Sequence, residues 1–289
     1  MDIRAILAGL VFVVMWSSAF SSARIIVEYA SPLWALSVRY LISGLIGVGI
    51  ALALGQSWRL TPAQWRATIV FGVLQNATYL GLNFVAMQTV EASLAAIIAS
   101  TMPLWVGFAA WAFLGERLRP LGVAGLLAGV VGVFITMSAA LSGGVDLTAV
   151  LLSGQSMMAL TPATPLWRGA TSGGNFLMIV GLQMLAGCVA LALAALLFET
   201  PRLDPSWPLF FAFVYTCFVP GLAATMIWFW LVNRLGATRA ATFHFLNPFF
   251  GVAIAALLLS EPLGASDILG VLIVALGILA VQISRQKKQ

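Results

Sequence analysis

Apolar runs of about 20 residues recur along the whole chain, separated by short polar segments. A helix of that length is needed to cross a hydrocarbon core about 30 Å thick. The pattern predicts ten membrane-spanning helices, near residues 4–27, 33–54, 63–89, 92–114, 120–139, 149–168, 175–198, 207–233, 238–259 and 264–284. Several runs begin at a proline, and Thr61-Pro62 is typical of an N-cap followed by a helix start.

The second half of the chain repeats the first at an offset of 145 residues, so that residues 91–132 reappear in altered form at 236–277. The shift superposes four landmark pairs: Pro103 with Pro248, Glu116 with Glu261, Gly125 with Gly270, and Gly132 with Gly277. We therefore predict an all-α polytopic membrane protein made of two homologous five-helix repeats, residues 1–140 and 141–289.

Because each repeat has an odd number of helices, the second repeat enters the membrane from the opposite side. With the N-terminus inside, eleven of the fourteen Lys and Arg residues lie in cytoplasmic segments, as the positive-inside rule requires. We expect a multi-pass protein of the cell's inner (plasma) membrane with both termini cytoplasmic. Inverted repeats build secondary transporters, whose substrate site lies near the bilayer midplane and opens alternately to each side.

Composition supports a lipid environment, since 62% of the residues are hydrophobic and 8% are charged, against roughly 25% charged in soluble domains. The net charge of +5 is spread over short loops, so we expect no nucleic-acid partner. Cys188 and Cys217 lie in apolar runs, which indicates neither a disulfide framework nor a metal site. The chain has no glycine-lysine-serine/threonine loop, so we expect no nucleotide and no other cofactor. The first apolar run is longer than a signal-peptide core, and we interpret it as the first helix.

Three sets of motifs resemble the drug/metabolite transporter superfamily, in its ten-helix EamA type. They are MWSSAF at 15–20, VRYL at 38–41, and the paired helix ends GERL and SEPL that follow the two aligned prolines. The resemblance is nearest to the amino-acid exporter branch of the YddG kind, which implies export of aromatic and other large neutral amino acids. The sixth helix departs from the family pattern, because Pro162 and Pro165 predict a broken or short helix. A cavity-lining segment and an unusual helix facing lipid both remain open.

The third predicted helix places Asn76, Tyr79, Asn83 and Met87 three and four residues apart, on one face. Polar groups inside a membrane face the protein interior. This stripe lines a substrate cavity, with Tyr79 as an aromatic wall, or its amides hold neighbouring helices together. The same two interpretations apply to Trp16 and the serines beside it.

Pro103 and Pro248 lie near the middle of two helices related by the repeat. Each removes a backbone donor and permits a kink, so the pair fits a gate, or it only shapes the bundle. Trp105, Phe243 and His244 lie beside these prolines. The predicted substrate-binding residues are Trp16, Tyr79, Asn83, Trp105, Phe243 and His244, and the predicted gating residues are Pro103 and Pro248.

Two ionisable side chains carry alternatives of their own. His244, the single histidine, relays protons or acts as a neutral hydrogen-bonding group. Arg39, inside the second helix, reaches outward to the interface or pairs with Glu28 or Glu91, or else it binds a substrate carboxylate.

None of the nine acidic residues falls at mid-membrane depth in this reading, which disfavours a proton-driven exporter of cationic drugs. The scattered serines lack the partners of an intramembrane enzyme. We therefore predict a non-enzymatic transporter that exports neutral amino acids, including methionine or threonine, by alternating access down their gradient. A proton-coupled exporter of drugs or other small metabolites is the alternative. The partners expected are the substrate and the lipid bilayer, and the oligomeric state is not specified by the sequence.

Overall fold

A computed structural model describes residues 3–102, 104–105, 108, 119–142, 144, 146–156, 175–235, 240 and 242–286. Within these residues the regular structure is helical, and seven helices are long and apolar enough to cross a membrane. The described residues contain no strand, only one bridge between Ala30 and Leu203. The prediction of a polytopic helical membrane protein is therefore confirmed. The number of ten spans and the side of the termini stay predictions.

The described helices are numbered from the N-terminus. In chain order they are α1 (Ile3–Tyr29), α2 (Pro32–Ala53), α3 (Pro62–Phe71), the π-helix π1 (Gly72–Tyr79), α4 (Leu80–Ala86), α5 (Ala92–Ser100), α6 (Pro120–Ser142), α7 (Phe176–Phe198), α8 (Trp207–Thr216), the π-helix π2 (Cys217–Ala223), α9 (Ala224–Leu235), a 3-10 turn (Thr242–Leu246), α10 (Asn247–Leu259) and α11 (Ala265–Gln286). Residues 147–156 are also helical.

The start of α3 is determined by local sequence. Thr61 accepts a hydrogen bond from the Gln64 backbone N–H, the Gln64 side chain accepts one from the Thr61 N–H, and Pro62 occupies the first turn. This capping box satisfies two N–H groups that have no partner inside the helix. The helix start predicted at Thr61-Pro62 is confirmed.

Three other helix starts are capped by side chains from the opposite half of the sequence. Glu199 accepts hydrogen bonds from the backbone N–H groups at the start of α2, the shortest from Leu33 at 3.0 Å. Gln56 accepts one from Met178 at the start of α7, also at 3.0 Å. Since Met178 follows Leu33 by 145 residues, the equivalent helix start is capped in each repeat, by Glu199 in one and by Gln56 in the other. Glu261 accepts from Ala92 at 2.7 Å and from its neighbour at 3.0 Å.

The two π-helices begin 145 residues apart, at Gly72 and Cys217, and the α-helical segments before them are both ten residues long. A π turn inserts an extra residue and is frequent at functional sites. Only π2 carries an obvious sequence cause, because Pro220 lies inside it and has no N–H to donate. Each π segment lies inside one apolar helix long enough to cross a membrane, Pro62–Ala86 and Trp207–Val232, so the helices predicted near 63–89 and 207–233 are present and contain an irregularity that hydropathy did not predict.

The described chain separates into two compact units. The first unit takes residues 1–21, 89–153 and 223–289, and the second takes 22–88 and 154–222. In the first unit α6 packs along α11 and α5 packs on α10, and in the second α2 packs along α7. Each unit therefore draws helices from both sides of residue 140.

Glycines allow the close contact between α6 and α11. A Cβ atom built on Gly277 would lie 2.6 Å from the carbonyl oxygen of Gly125, and one on Gly132 would lie 3.0 Å from that of Gly270. Small residues permit such backbone contact between membrane helices. Gly125 corresponds to Gly270 in the repeat, and Gly132 corresponds to Gly277. The contacts, however, join Gly125 to Gly277 and Gly132 to Gly270. This arrangement requires an antiparallel pair, as an inverted repeat would produce.

Candidate functional site

Four aromatic side chains of the first unit surround one another and form what we term the aromatic cluster: Phe12, Trp16, Trp228 and His244. The His244 ring lies 4.9 Å from Trp228 and 5.3 Å from Phe12, measured between centroids, and 6.1 Å from Trp16. Phe12 also lies 5.2 Å from Trp228. Phe12 is buried, whereas the other three rings remain half-buried. The cluster thus has a closed back and a partly open face.

Several elements bring these rings together. Phe12 and Trp16 lie one helical turn apart on α1, and their rings are 5.7 Å apart. Trp228 comes from α9, and His244 comes from the 3-10 turn before α10. A short 3-10 stretch in a membrane helix is a frequent hinge. The cluster is therefore connected to a structurally irregular segment.

Asn247 gives the aromatic cluster a polar edge. Its Nδ2 lies 2.8 Å from His244 Nδ1, so the imidazole accepts at this nitrogen when neutral and protonated on the other. Ser17 Oγ donates to the Asn247 carbonyl at 3.2 Å. Asn247 Oδ1 is buried and has no hydrogen-bond partner within the described part of the chain. One acceptor atom at this edge is therefore available to a ligand.

The structure places the other first-unit candidates less centrally. Phe243 is 6% exposed and packs in the core with Phe12 and Leu231. Trp105 is half-buried and contacts Phe108 edge-on at 6.5 Å. Pro248 is buried and lies in the first turn of α10, where proline disturbs no hydrogen bond. Pro103 lies outside the described residues.

In the second unit Asn83 joins two segments. Its Nδ2 donates to the Tyr79 carbonyl at 2.8 Å and to Ser156 Oγ at 2.7 Å. Asn83 is fully buried, and its Oδ1 has no partner among the described residues. Tyr79 itself is 6% exposed and ends π1. By contrast, Asn76 donates to the backbone of Gln183 at 3.1 Å, which supports the packing role for that amide.

Arg39 corrects a sequence expectation. Its side chain neither reaches the interface nor pairs with Glu28, because Arg39 is 7% exposed and Glu28 lies 3.6 Å from Arg24. No ion pair of Arg39 is found with any other described residue, Glu91 included.

The structure thus brings Trp16 and His244 together in one unit, and Tyr79 and Asn83 together in the other. Sequence reasoning missed Phe12 and Trp228. Two signals were available: Phe12 precedes Trp16 by one helical turn, and Trp228 follows Asn83 by the repeat offset of 145 residues.

A cavity of about 380 Å³ lies elsewhere in the second unit, beside the Glu199 cap, and is lined by residues that include Ser31, Val85 and Arg202. It contains none of the predicted substrate-binding residues. The described residues also contain no group of three or more His, Cys, Asp or Glu side chains suited to a metal ion.

Comparison with known proteins agrees with this architecture. An uncharacterized transporter of Bacillus subtilis, YvbV, is 26% identical over 270 residues, which cover 93% of this chain and 88% of that protein. An S-adenosylmethionine/S-adenosylhomocysteine transporter of Chlamydia muridarum is 25% identical over 134 residues, or 46% of this chain and 42% of the transporter. A solved crystal structure has the same fold, with a TM-score of 0.66 at 20% identity over 100% of both chains.

The profile of the EamA-like transporter family matches the chain twice, over residues 3–138 and 149–283. The resemblance to the EamA type of the drug/metabolite transporter superfamily is confirmed, and with it the general function of a membrane transporter. This chain belongs to the EamA-like transporter family.

Proposed function

We propose that this transporter exports neutral amino acids, aromatic ones foremost and methionine or threonine among them, by exposing its site alternately to the two sides of the membrane. The observation that carries the proposal is the aromatic cluster with its His244–Asn247 edge. None of the relatives named above is described as an amino-acid exporter, so the substrate assignment rests on this site.

The chemistry of the cluster matches such a substrate. Aromatic side chains bury large areas and pack favourably edge-on or offset against another ring, and the half-buried rings of Trp16 and Trp228 provide that surface. No carboxylate, lysine or arginine side chain belongs to the cluster, which favours an uncharged substrate side chain.

The wider arrangement follows from the two family matches. We infer that residues 1–140 and 141–289 form two inverted five-helix repeats, giving ten spans with both termini in the cytoplasm of an inner-membrane protein. The crosswise glycine pairs of α6 and α11 support the inversion. Pro248, just after the 3-10 turn, and Pro103 act as the gate in this scheme.

Transport is proposed to run down the amino-acid gradient without a proton. The acidic residues that the structure describes lie at helix ends or in loops: Glu28, Glu91, Asp146, Glu199, Asp204, Glu261 and Asp267. Within the described spans, no carboxylate is therefore placed to alternate between a proton and a substrate.

A second substrate is favoured by the chlamydial relatives, whose name specifies S-adenosylmethionine and S-adenosylhomocysteine. Both molecules carry an amino-acid group, so the two candidates share the ammonium and carboxylate to be recognised. A proton-coupled exporter of drugs or other metabolites is the remaining alternative.

The test is uptake of labelled phenylalanine, methionine, S-adenosylmethionine and a quaternary ammonium dye into proteoliposomes, with and without a pH gradient. Amino-acid uptake that equilibrates without the gradient is expected. The variant Trp16→Ala should lower phenylalanine uptake, whereas Trp207→Ala, which removes a 74% exposed ring, should not. Dye uptake that requires the gradient would contradict both the substrate and the mechanism.

His244 separates the coupling models. The variant His244→Gln keeps a hydrogen-bonding side chain beside Asn247 and removes the imidazole, the group that a proton relay would need. We expect uptake within about threefold of the unmodified protein, because the imidazole serves as a neutral partner. If the variant abolishes uptake driven by a pH gradient, facilitated diffusion is wrong.

A further inference from the structure

Arg39 lies deep inside the second unit. It is seven residues after Pro32, the first residue of α2, which places it roughly 10 Å along the helix axis. Only 7% of the residue is exposed, so the guanidinium does not extend to the interface as arginines near helix ends do. Its Nε is buried and has no hydrogen-bond partner within the described residues.

No described carboxylate neutralises this cation. Glu28 pairs with Arg24 at 3.6 Å, and Asp204 pairs with Arg202 at 3.0 Å. The ring of Tyr40 lies 5.2 Å from Arg39 Cζ, which stabilises a cation without cancelling its charge. An arginine inside a membrane is costly, and such residues mark substrate pathways or pair with an anion.

Helix packing does not require a charged residue at the position of Arg39, because the equivalent contact in the other repeat is made by a neutral side chain. The guanidinium approaches π2 at Gly221, where a Cβ atom would lie 3.6 Å from Arg39 Nη2. The residue 145 positions before Gly221 is Asn76, in π1, and it completes its contact with α7 through a neutral amide bond to Gln183. At equivalent places in the two repeats, the first thus has the hydrogen-bonded amide of Asn76. The other has the guanidinium of Arg39, whose charge no described carboxylate balances.

The groups around Arg39 suit an anion. Gly221 has no side chain, so the guanidinium has room beside the π2 backbone. Ser43 Oγ would lie 3.7 Å from the same Cβ position, and the Thr216 carbonyl oxygen would lie 3.0 Å from it. Ser43 Oγ also donates a long, 3.5 Å hydrogen bond to the Cys217 carbonyl. A planar guanidinium with a nearby hydroxyl binds a carboxylate through charge-assisted hydrogen bonds. π-helical segments such as π2 commonly occur where a helix contributes to a ligand site.

We propose that Arg39 binds the carboxylate of the transported molecule, which restricts the substrates to compounds carrying that anion. The assignment rests on the proposed export of amino acids and adds the group that distinguishes an amino acid from an amine. In this proposal the substrate carboxylate balances the charge of Arg39. Analogues without a carboxylate leave that charge unpaired, so they bind less well.

The test uses the full-length protein in proteoliposomes, with Arg39→Gln, Arg39→Lys and, as matched control, Arg202→Gln at an exposed arginine. Labelled phenylalanine uptake is measured against two competitors, 3-phenylpropionate, which lacks the amine, and phenethylamine, which lacks the carboxylate. We expect 3-phenylpropionate to compete at least tenfold better in the unmodified protein. In Arg39→Gln, uptake below saturation should fall about tenfold or more and the preference should disappear.

Arg202→Gln should behave as the unmodified protein. If Arg39→Gln does not reach the membrane, Arg39→Lys decides: uptake reduced several-fold with the carboxylate preference retained supports the proposal. Unchanged uptake and unchanged competition in Arg39→Gln, or in Arg39→Lys when only that variant folds, would overturn it. A preference for phenethylamine in the unmodified protein would overturn it as well.

A separate measurement distinguishes this proposal from the transport assignment. If the unmodified protein takes up no amino acid, the proposed function fails, and Arg39 is tested by thermal unfolding of the purified protein in detergent with 3-phenylpropionate, acetate, phosphate or chloride. Stabilisation by the carboxylates that is lost in Arg39→Gln supports a carboxylate site. An equal effect in the variant, no effect, or stabilisation by chloride or phosphate alone contradicts it.

Discussion

The side-chain amide of Asn83 is hydrogen-bonded through its nitrogen but not through its oxygen. Its nitrogen donates to Tyr79 and Ser156, whereas Oδ1 is buried without a partner among the described residues. A buried acceptor left unsatisfied costs about 1–3 kcal/mol. Such a cost is consistent with a group that is satisfied when substrate binds.

Replacing Asn83 tests this through the whole side-chain amide, because the change also removes the hydrogen bonds that its nitrogen donates to Tyr79 and Ser156. Asn83→Leu keeps the volume and removes the acceptor, and we expect amino-acid uptake per folded molecule to fall about tenfold. Asn76→Leu is the control, because Asn76 is bonded to the Gln183 backbone. It should lower the unfolding temperature and leave uptake per folded molecule nearly unchanged. Equal loss of uptake in both variants would assign Asn83 to packing.

The type of a residue predicted the chemistry of its side chain better than it predicted which other residues that side chain contacts. Trp16 and His244, each chosen for its side-chain chemistry, lie 6.1 Å apart between ring centroids, a contact that the sequence did not predict. The stripe from Asn76 to Met87 was drawn with a regular helical period, but π1 inserts an extra residue in its path. Consequently Asn76 and Asn83 bond to different elements. For Arg39, the sequence left open a reach to the interface, a pair with Glu28 or Glu91, and a substrate carboxylate. In the structure Glu28 pairs instead with Arg24, one helical turn before it.

At the scale of elements, helix positions follow from hydropathy and punctuation, and helix irregularities do not. The predicted span 33–54 corresponds to Pro32–Ala53, and 264–284 corresponds to Ala265–Gln286. Hydrophobic periodicity does not encode the π-helices or the 3-10 turn before α10, although Pro220 inside π2 is a local signal for one of them. Pro248, expected in mid-helix, instead lies in the first turn of α10.

The contact between α6 and α11 predicts a steric effect. In Gly277→Ala the new methyl group would lie 2.6 Å from the Gly125 carbonyl oxygen and 2.9 Å from the Gly129 nitrogen, and overpacking of this kind costs about 1–3 kcal/mol. Gly49→Ala is the matched control, since its Cβ atom would meet nothing within 4 Å. Thermal unfolding in detergent should show a lower midpoint only for Gly277→Ala. A normal midpoint there would mean that the helices separate readily.

The Glu261 cap predicts a loss at a helix end. Its two oxygens accept the N–H groups of Ala92 and Ser93, and loss of an N-terminal cap costs about 0.5–2 kcal/mol. Glu261→Ala should lower the free energy of unfolding by about 1 kcal/mol, and Glu261→Gln, which keeps one acceptor, by less. Equal stability of both variants and the unmodified protein would show that water replaces the carboxylate.

For the whole molecule, the charge distribution predicts orientation. Trp58 lies in the exposed loop after α2, and Pro205 lies in the exposed loop before α8. With Cys188 and Cys217 replaced by alanine, a cysteine at 58 should react with an impermeant maleimide only after the cells are opened, and a cysteine at 205 should react in intact cells. The reverse labelling pattern would invert the topology, and labelling of both sites in intact cells would contradict the number of spans between them.

The caps also bear on how the duplicated chain holds together. Leu33 and Ala92 belong to the first repeat and are capped by Glu199 and Glu261 of the second, while Met178 of the second is capped by Gln56 of the first. Each half therefore lacks the side chain that caps at least one of its own helices. Two fragments made as separate polypeptides would each lack caps when produced alone and would complement each other when produced together. The covalent link between the repeats therefore ensures that the two interdependent halves are made in equal amounts.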